Sequence, residues 1–586
     1  MEKGNYKITT AYPGGYNQLD PEYGSIFTGY RTGGDTLGMS LDPRTANILK
    51  EFSDKLASGQ KTVELSMIMP ETVDTIPKHH LNEIRQLSKL TGVDVTVHGP
   101  LIEASGLSKE GFSEANREAA ERQMIQAVGR AHEASPEGNV PVTFHSSAML
   151  PPTEYSSGKE GEKIEKTFAI DQSTGQIMPV KREEKFYPRL KGEEQKEIVK
   201  KIRTPGEQIV DINNTSWSNS LTELIPHFER SQHMIEETLP IAMNVLQKQQ
   251  EGIEEFTQAE IAAKQRFQGG MDQLSDTYAH LATLFDKAYQ YGSEEEKIRL
   301  HSYVQELEKV SPGDPLAFSR GLQEFRENLT KVNPELFQSL NDYSMDKTSE
   351  TFGNVAYESY KKFKQNAPII SIENPPAGMN AFSRGKDLKE ISENSREQFV
   401  KRATTDGMSE SQAKIEAEKL IGVTWDVGHI NQLKKFGYTD EDLVEESKRV
   451  APYLKHVHLS DNFGMENTEL PMGMGNVPLK EMMEALGKKG EKAKKIVEAG
   501  NWWQHFQTSP MALSYEAMGS PIYSMKMAPY WNQTPTLQEG YFSGLGPTLP
   551  QINYATFGGG FSQLPPELGG QTQATGRGRM SGTPME

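Results

Sequence analysis

Six widely separated histidine, aspartate and glutamate residues carry the clearest chemical signal in this sequence. Each follows an apolar residue at the end of a short run, and in five of the six runs the residue two positions earlier is also polar. The six are His98, His145, Glu373, Asp426, His458 and Glu498. Carboxylates brought together without cations repel, whereas divalent metals bind carboxylate and imidazole groups together. The pattern therefore predicts a site for divalent metal ions.

Four other polar residues near these positions have more than one interpretation. His429 follows Asp426 by three residues, where the chain leaves its strand, and is a further candidate ligand. His456 lies one side-chain layer below His458, so we expect it to support or pack rather than to bind metal. Asp461 could orient a ligand or cap the following loop. Glu64, in the run TVELSM, could face a substrate, the core or a salt-bridge partner.

The strands that must position these residues alternate with helix-like segments, which is typical of a parallel sheet. Eight strands with intervening helices predict an α/β fold, a closed (β/α)₈ TIM barrel, with its site at the C-terminal strand ends. The predicted strands are 36–41, 62–67, 93–98, 141–145, 369–373, 423–427, 455–460 and 495–499.

The spacing of the strand ends predicts one large, mostly helical insertion after strand 4. The interval from His145 to Glu373 is several times longer than the roughly 30 residues of one barrel unit. We therefore assign 36–145 and 346–503 to the barrel, and 146–345 to an inserted hairpin plus helical subdomain. An N-terminal extension (1–35) precedes the barrel. A low-complexity, Gly/Pro-rich tail (504–586), expected to be disordered, follows it.

Composition limits the possible classes of protein. The 586 residues include no cysteine, so disulfides and thiolate metal sites are excluded. No apolar run is long enough to span a membrane, and the N-terminal residues lack a signal-peptide core, so we expect a cytoplasmic protein. The formal charge of −18 weighs against a broad phosphate-binding surface, although bound metal ions could supply positive charge locally.

Over the predicted barrel the sequence resembles the endonuclease IV and xylose-isomerase-like barrel superfamily (AP endonuclease family 2). The resemblance rests on VHGPLIEASG after strand 3, FHSS at strand 4 and ENPPAG after strand 5. It continues with WDVGH at strand 6, HLSD at strand 7 and IVEA at strand 8. Their order along the chain makes this combination fairly specific.

The resemblance implies two metal sites that share Glu373. His98, His145 and Glu373 would hold the first ion. The second would be held by Glu373, Asp426, His458 and Glu498. Zinc is the expected metal, with manganese or magnesium as alternatives.

A third ion in the endonuclease is bound by the histidine matching His429 and by an Asp-x-His motif. The matching region here, MENTELPMGMG, offers Asn467 and Glu469 instead. Glu469 is therefore the remaining candidate ligand for a third ion.

Three functions remain open, and we favour the first. A phosphodiester hydrolase would cleave DNA at abasic sites, with Glu373 bridging two ions, Glu498 steadying the nucleophile and His429 binding phosphate. A sugar isomerase or epimerase would use one ion and would exchange protons through Glu373 and Glu498. A metal-binding scaffold would act through a protein partner of the 146–345 insertion.

Overall fold

The computed structural model divides into two compact units. They are Met1–Lys163 with Ser344–Glu586, and Ile164–Tyr343. The residues described are 28, 30, 32, 36–57, 60–158, 161–188, 198–253, 255–311, 313–500, 502 and 510–518. Most of the predicted N-terminal extension and tail therefore lies outside the described residues.

The first unit contains a closed barrel of eight parallel strands, so the predicted (β/α)₈ fold is confirmed. Consecutive barrel strands are neighbours, and the last pairs with the first. The strands are β1 (Leu37–Ser40), β2 (Thr62–Ser66), β3 (Asp94–His98), β4 (Pro141–His145), β5 (Ile369–Glu373), β6 (Ile421–Asp426), β7 (Leu454–Leu459) and β8 (Lys494–Val497).

Alternation along each strand separates the polar interior from the apolar exterior. Trp425 is fully buried, and its indole Nε1–H donates to Ser447 Oγ at 3.2 Å on the helix Asp440–Val450. Its neighbours in sequence must therefore point the other way, into the barrel. There the hydroxyls of Thr424 and Thr143 are hydrogen bonded at 2.9 Å, which forms part of a polar layer below the strand ends.

Strand register brings the predicted ligands to one level. Glu373 at the end of β5 is paired with His145 at the end of β4. Asp426 at the end of β6 is paired in the same way with His458 on β7. The parallel arrangement thus places side chains from distant parts of the sequence at the C-terminal end of the barrel.

Helices connect the barrel strands, and several begin at side-chain caps. Ser113 accepts the Asn116 N–H at the start of Glu114–Ala134, and Thr439 forms a capping box with Asp442. The other helices of this unit with at least ten residues are Ile48–Ala57, Lys78–Thr91, Leu340–Phe363, Gly385–Thr405, Glu410–Leu420 and Leu479–Lys492. Leu340–Phe363 begins in the inserted unit.

The second unit has a core of its own. Its helices are Pro205–Thr222, Ile225–Gln250, Gln258–Tyr291, Glu294–Leu307 and Pro315–Leu329. Trp217, Phe228 and Leu274 are among the residues that fill the space between them. The Ser173–Thr174–Gly175 segment makes the turn between the antiparallel strands Gly161–Asp171 and Ile177–Lys181.

Part of the predicted tail is helical rather than disordered. Residues Met511–Ala517 form a helix, and Met511 and Met518 are buried. Ser514 Oγ accepts the backbone N–H of Met472 at 3.3 Å, which ties this helix to the loop after β7. The overall composition of the tail does not reveal this helix, because a few apolar residues are enough to order one short helix. None of the helices described is long and apolar enough to cross a bilayer.

Candidate metal centre

Glu373 lies at the centre of the residues predicted to bind metal. Its Oε1 is 2.8 Å from Nδ1 of His458. Its Oε2 faces the other side, 3.3 Å from Nε2 of His98 and 3.4 Å from Nε2 of His145. One buried carboxylate therefore contacts three imidazoles from three different strands.

Four of the six strand-end residues form one compact group of possible ligands. Glu373, Asp426, His458 and Glu498 each offer an atom within 4.8 Å of the others. Glu498 Oε1 lies 3.3 Å from the same nitrogen of His458 that faces Glu373. His98 joins a second group with Glu373 and His458. His145 contacts Glu373 but belongs to neither group.

Backbone carbonyls orient two of the histidine rings. A carbonyl can only accept, so Nδ1 of His98 donates to Gly99 O at 2.9 Å. Nδ1 of His429 donates to Asn374 O at 2.8 Å. In the neutral ring each histidine then keeps a lone pair on Nε2, the nitrogen available to a metal ion.

The carboxylates have unused acceptor atoms that a cation would satisfy. Asp426 Oδ1 accepts the N–H groups of Gly428 and His429, each at 2.7 Å. Asp426 Oδ2 and Glu373 Oε2 are buried and accept no hydrogen bond from the described residues. Buried anionic oxygens without donors are costly. The donor set and these free oxygens therefore fit a divalent ion.

The two glutamates of the four-residue group differ in proton affinity. Burial favours protonation of both, but the imidazoles of His458 and His145 lower the pKa of Glu373 well below its ordinary value. At Glu498 burial prevails over the attraction of His458 and raises the pKa to about 8. Burial likewise raises the pKa of Asp426. Without metal, Glu498 therefore holds a proton more tightly than Glu373 does.

The histidines of the centre also differ in proton affinity. Burial opposes charge on all of them, but Glu373 raises the pKa of His98 to about 9. Glu373 and Glu498 raise the pKa of His458 well above its ordinary value. Burial lowers the pKa of His145 to about 3, and the charges of the neighbouring imidazoles add to this lowering and oppose the effect of Glu373. When no metal is bound, protons on His98 and His458 therefore balance part of the negative charge of the carboxylates.

Comparison with known protein families gives a match over part of the barrel. Residues 384–511 match the family described as xylose isomerase-like TIM barrel. The matched residues include strands β6 to β8, and with them Asp426, His458 and Glu498. No curated protein sequence matches the chain.

Two solved structures that align with most of this chain are described as an epimerase-like protein and an epimerase. A D-tagatose 3-epimerase-like protein has 12% identity and a TM-score of 0.37, with 84% of this chain and 100% of that chain covered. D-psicose 3-epimerase from Clostridium cellulolyticum H10, solved with D-tagatose, has 9% identity and a TM-score of 0.37. The match covers 84% of this chain and 98% of the epimerase.

Glu469 lies near the centre but outside the groups of possible ligands. Burial raises its pKa, and His429 and Asp426 are close enough to act on it. Its Oε1 accepts Asn467 Nδ2–H at 3.2 Å. Among the described residues, Glu469 belongs to no group of three possible ligands. A third ion at His429 and Glu469 stays a prediction.

Asp461 and Asn374 support the site without facing it as ligands. Asp461 accepts the backbone N–H groups of Asn462, Gly473 and Val477, at 2.9, 2.9 and 3.1 Å, and so organises the loop after β7. Asn374 bonds to both backbone groups of Asp426, at 2.9 Å each, which fixes the ends of β5 and β6 together. The ENPP motif gave no reason to expect this role for Asn374.

Glu103 was also missed by sequence reasoning. Its Oε2 accepts the backbone N–H groups of Ala148, Met149 and Leu150, at 3.0, 2.7 and 3.2 Å, and the hydroxyl of Ser147. Its side chain is buried in the loop after β3. It therefore fixes the segment that follows β4 and His145.

Below the centre, Glu64 and His456 form a second buried layer. Glu64 Oε1 is 3.4 Å from His456 Nε2 and 3.2 Å from His458 Nε2. All three side chains are inaccessible to solvent. Three interpretations of Glu64 were open: contact with a substrate, with the core or with a salt-bridge partner. The structure shows Glu64 in contact with two histidines inside the barrel.

Proposed function

We propose that the protein is a divalent-metal-dependent isomerase or epimerase acting on a small polyhydroxylated carbonyl compound such as a ketose. The observation that supports this proposal is the pair Glu373 and Glu498. Both carboxylates face His458 Nδ1, at 2.8 and 3.3 Å, in one group of possible ligands. Two carboxylates beside a divalent ion can move protons at carbons next to a carbonyl that the ion polarises.

The residues of the site suggest a division of roles. A divalent ion held by Glu373, Asp426, His458 and Glu498 would polarise the oxygens of a bound hydroxycarbonyl compound. Glu373 and Glu498 are the two glutamates of this group and are suited to exchange protons with the carbons beside the carbonyl. His429, with Nδ1 fixed by Asn374 O, can bind a substrate oxygen through Nε2.

The loops around the barrel mouth favour a small substrate over nucleic acid. Met69, Leu101, Met149 and Met379, in the loops after β2 to β5, are between 40% and 60% exposed. Backbone hydrogen bonds join these loops, including Leu101 N to Ile68 O at 2.9 Å. Nucleic-acid backbones are bound mainly by lysine, arginine and polar groups. An apolar rim offers little to a phosphate backbone.

Two basic residues, one in the segment after β1 and one in the segment after β6, form ion pairs with acidic residues. Arg44 pairs with Asp42 at 2.6 Å, and Lys434 pairs with Asp440 at 2.8 Å. Each pair leaves less positive charge for a phosphate backbone. This is further support for a small substrate.

Phosphodiester hydrolysis is the second candidate, because His98 and His145 both face Glu373 Oε2. A single four-residue site does not need these histidines. Two ions sharing Glu373 would instead suit hydrolysis of a phosphodiester. Zinc at such a site remains part of this proposal.

Proton exchange with solvent tests the first candidate. The protein is loaded separately with Mn²⁺, Co²⁺ and Zn²⁺ and incubated in D₂O with a ketose panel that includes D-tagatose. We expect deuterium at the carbon beside the carbonyl, detected by NMR. Glu373→Gln and Glu498→Gln should each slow exchange by about 100- to 10,000-fold, the usual contribution of general acid–base catalysis. Glu410→Gln, at an exposed helix position, is the matched control.

A second arm incubates the same metal-loaded protein with duplex DNA containing one abasic site. No deuterium uptake from any ketose, together with DNA cleavage that Glu373→Gln abolishes, would refute isomerisation and support hydrolysis. Metal analysis accompanies both arms, because two ions per chain favour the hydrolase and one favours the isomerase.

A further inference from the structure

We infer that Glu64 is a positioning residue that fixes the tautomer and orientation of His458, so that Nδ1 is presented to the metal centre. The inference rests on the proposed function only in taking His458 as a metal ligand.

The two nitrogens of His458 face different carboxylates. Nδ1 faces Glu373 Oε1 at 2.8 Å and Glu498 Oε1 at 3.3 Å, within the four-residue group. Nε2 points down the barrel to Glu64 Oε1 at 3.2 Å. The ring is fully buried, so water does not compete for either nitrogen.

This arrangement selects one tautomer of the metal-bound ring. A neutral imidazole has one N–H and one lone pair, and an ionised carboxylate can only accept. If Nδ1 binds the ion, the proton must be on Nε2, where Glu64 Oε1 accepts it. Carboxylates that accept the second N–H of a metal-binding histidine fix the ring and make it a stronger ligand.

Neighbouring strands hold Glu64 in place for this contact. Glu64 on β2 is paired in register with Thr96 on β3, and Thr96 Oγ1 donates to Glu64 Oε1 at 3.3 Å. His456 Nε2 lies 3.4 Å from the same oxygen. Because β2 and β7 are not hydrogen-bonded neighbours, the contact with His458 crosses the barrel interior.

A cation bound directly by Glu64, His456 and His458 is a competing explanation, because these residues also offer atoms within 4.8 Å of one another. It would require both nitrogens of His458 to bind metal, which removes the last proton of the ring. The two explanations differ in the number of ions bound, since only the second predicts that the loss of Glu64 removes one ion per chain.

The test measures metal affinity without substrate. Wild type and Glu64→Gln, both in the full chain, are titrated with Mn²⁺ by isothermal calorimetry after circular dichroism has shown that they are folded. We expect Glu64→Gln to bind about 10- to 100-fold more weakly at unchanged stoichiometry, the usual effect of removing such a partner. Thr62→Val is the matched control. Thr62 lies on the same strand, is buried, and its hydroxyl makes no hydrogen bond to the described residues. Its affinity should stay within about 2-fold of wild type.

A double-mutant cycle decides whether Glu64 acts through His458. The background is His458→Gln, and Co²⁺ binding is followed by absorbance at millimolar metal. Adding Glu64→Gln to this background should change the Co²⁺ affinity by less than about 2-fold, because the effects of substitutions at contacting residues are not additive. The inference is overturned by wild-type affinity in Glu64→Gln, by the loss of one ion per chain, or by an equal loss in both backgrounds. A wild type that binds no divalent ion also overturns it. A wild type that binds metal but exchanges no ketose proton refutes only the proposed function.

Discussion

Replacing Glu103 by glutamine should loosen the segment that follows β4 without unfolding the barrel. Glu103 Oε2 accepts three consecutive backbone N–H groups, from Ala148, Met149 and Leu150. Its Oε1 accepts the hydroxyl and the N–H of Ser105, at 2.6 and 3.2 Å. Glutamine is nearly the same size, but it has one acceptor oxygen and no charge.

The magnitude follows from how the amide can turn. If its oxygen faces residues 148–150, three charge-assisted hydrogen bonds become neutral ones, each weaker by about 1 kcal/mol. If its NH₂ group faces them, three donors lose their acceptor, and each buried donor costs about 1–3 kcal/mol. The first arrangement costs less, so we expect a local loss of about 1–3 kcal/mol. This corresponds to roughly 5- to 150-fold faster opening.

Hydrogen exchange measured by mass spectrometry on peptides spanning 146–150 reports this opening directly. Exchange of the amides of Ala148, Met149 and Leu150 should accelerate in Glu103→Gln, while a peptide from β6 stays unchanged. Ser105→Ala is the control, because it removes only an Oε1 partner and leaves Oε2 intact. Unchanged protection in Glu103→Gln, or equal loss in Ser105→Ala, would refute the role assigned to Glu103.

Three further predictions concern the barrel and its centre. Arg384→Met should lower the free energy of unfolding by about 2 kcal/mol, seen as a lower Tm by calorimetry, because buried Glu446 loses an ion pair of 2.8 Å and retains the one with Arg449 at 2.7 Å. An unchanged Tm would contradict this. Metal binding at pH 7 should release about two protons per ion, and fewer at pH 9, because the pKa of Glu498 is raised to about 8 and that of His458 is also raised. Calorimetry in buffers of different ionisation enthalpy measures the release, and an enthalpy independent of buffer would refute it. Gly428→Ala should weaken Mn²⁺ binding about 10-fold in a calorimetric titration, because the added Cβ would clash with the side-chain hydroxyl of Ser460 and lie 2.7 Å from its backbone carbonyl oxygen. Wild-type affinity would contradict this packing argument.

The barrel and its strand ends were predictable because each strand carries the same local pattern. In Thr143-Phe144-His145 a polar, an apolar and a polar residue alternate, and the structure shows Phe144 buried and Thr143 hydrogen bonded inside the barrel. Such alternation survives in the sequence whatever lies between the strands. For this reason the long interval between His145 and Glu373 did not obscure the pattern.

Contacts that depend on geometry across the barrel were not predictable. Glu64 and His458 are distant in sequence and lie on strands that are not neighbours, so no spacing rule connects them. Glu103 resembles any other loop glutamate until the backbone amides of Ala148 to Leu150 are seen to converge on it. Proton affinities were equally inaccessible, because the low pKa of Glu373 and the raised pKa of Glu498 depend on burial and on the facing rings.

The closure of the barrel between β1 and β8 determines when the four-residue group of possible ligands can form during synthesis of the chain. Leu37 on the first strand pairs with Lys495 on the last, and Glu498 follows directly after that last strand. The ribosome must therefore deliver the chain through Glu498 before the first strand obtains its second neighbour and the four-residue group of possible ligands is complete. Meanwhile the unit Ile164–Tyr343, with its own apolar interior, can fold while the nascent barrel is still open.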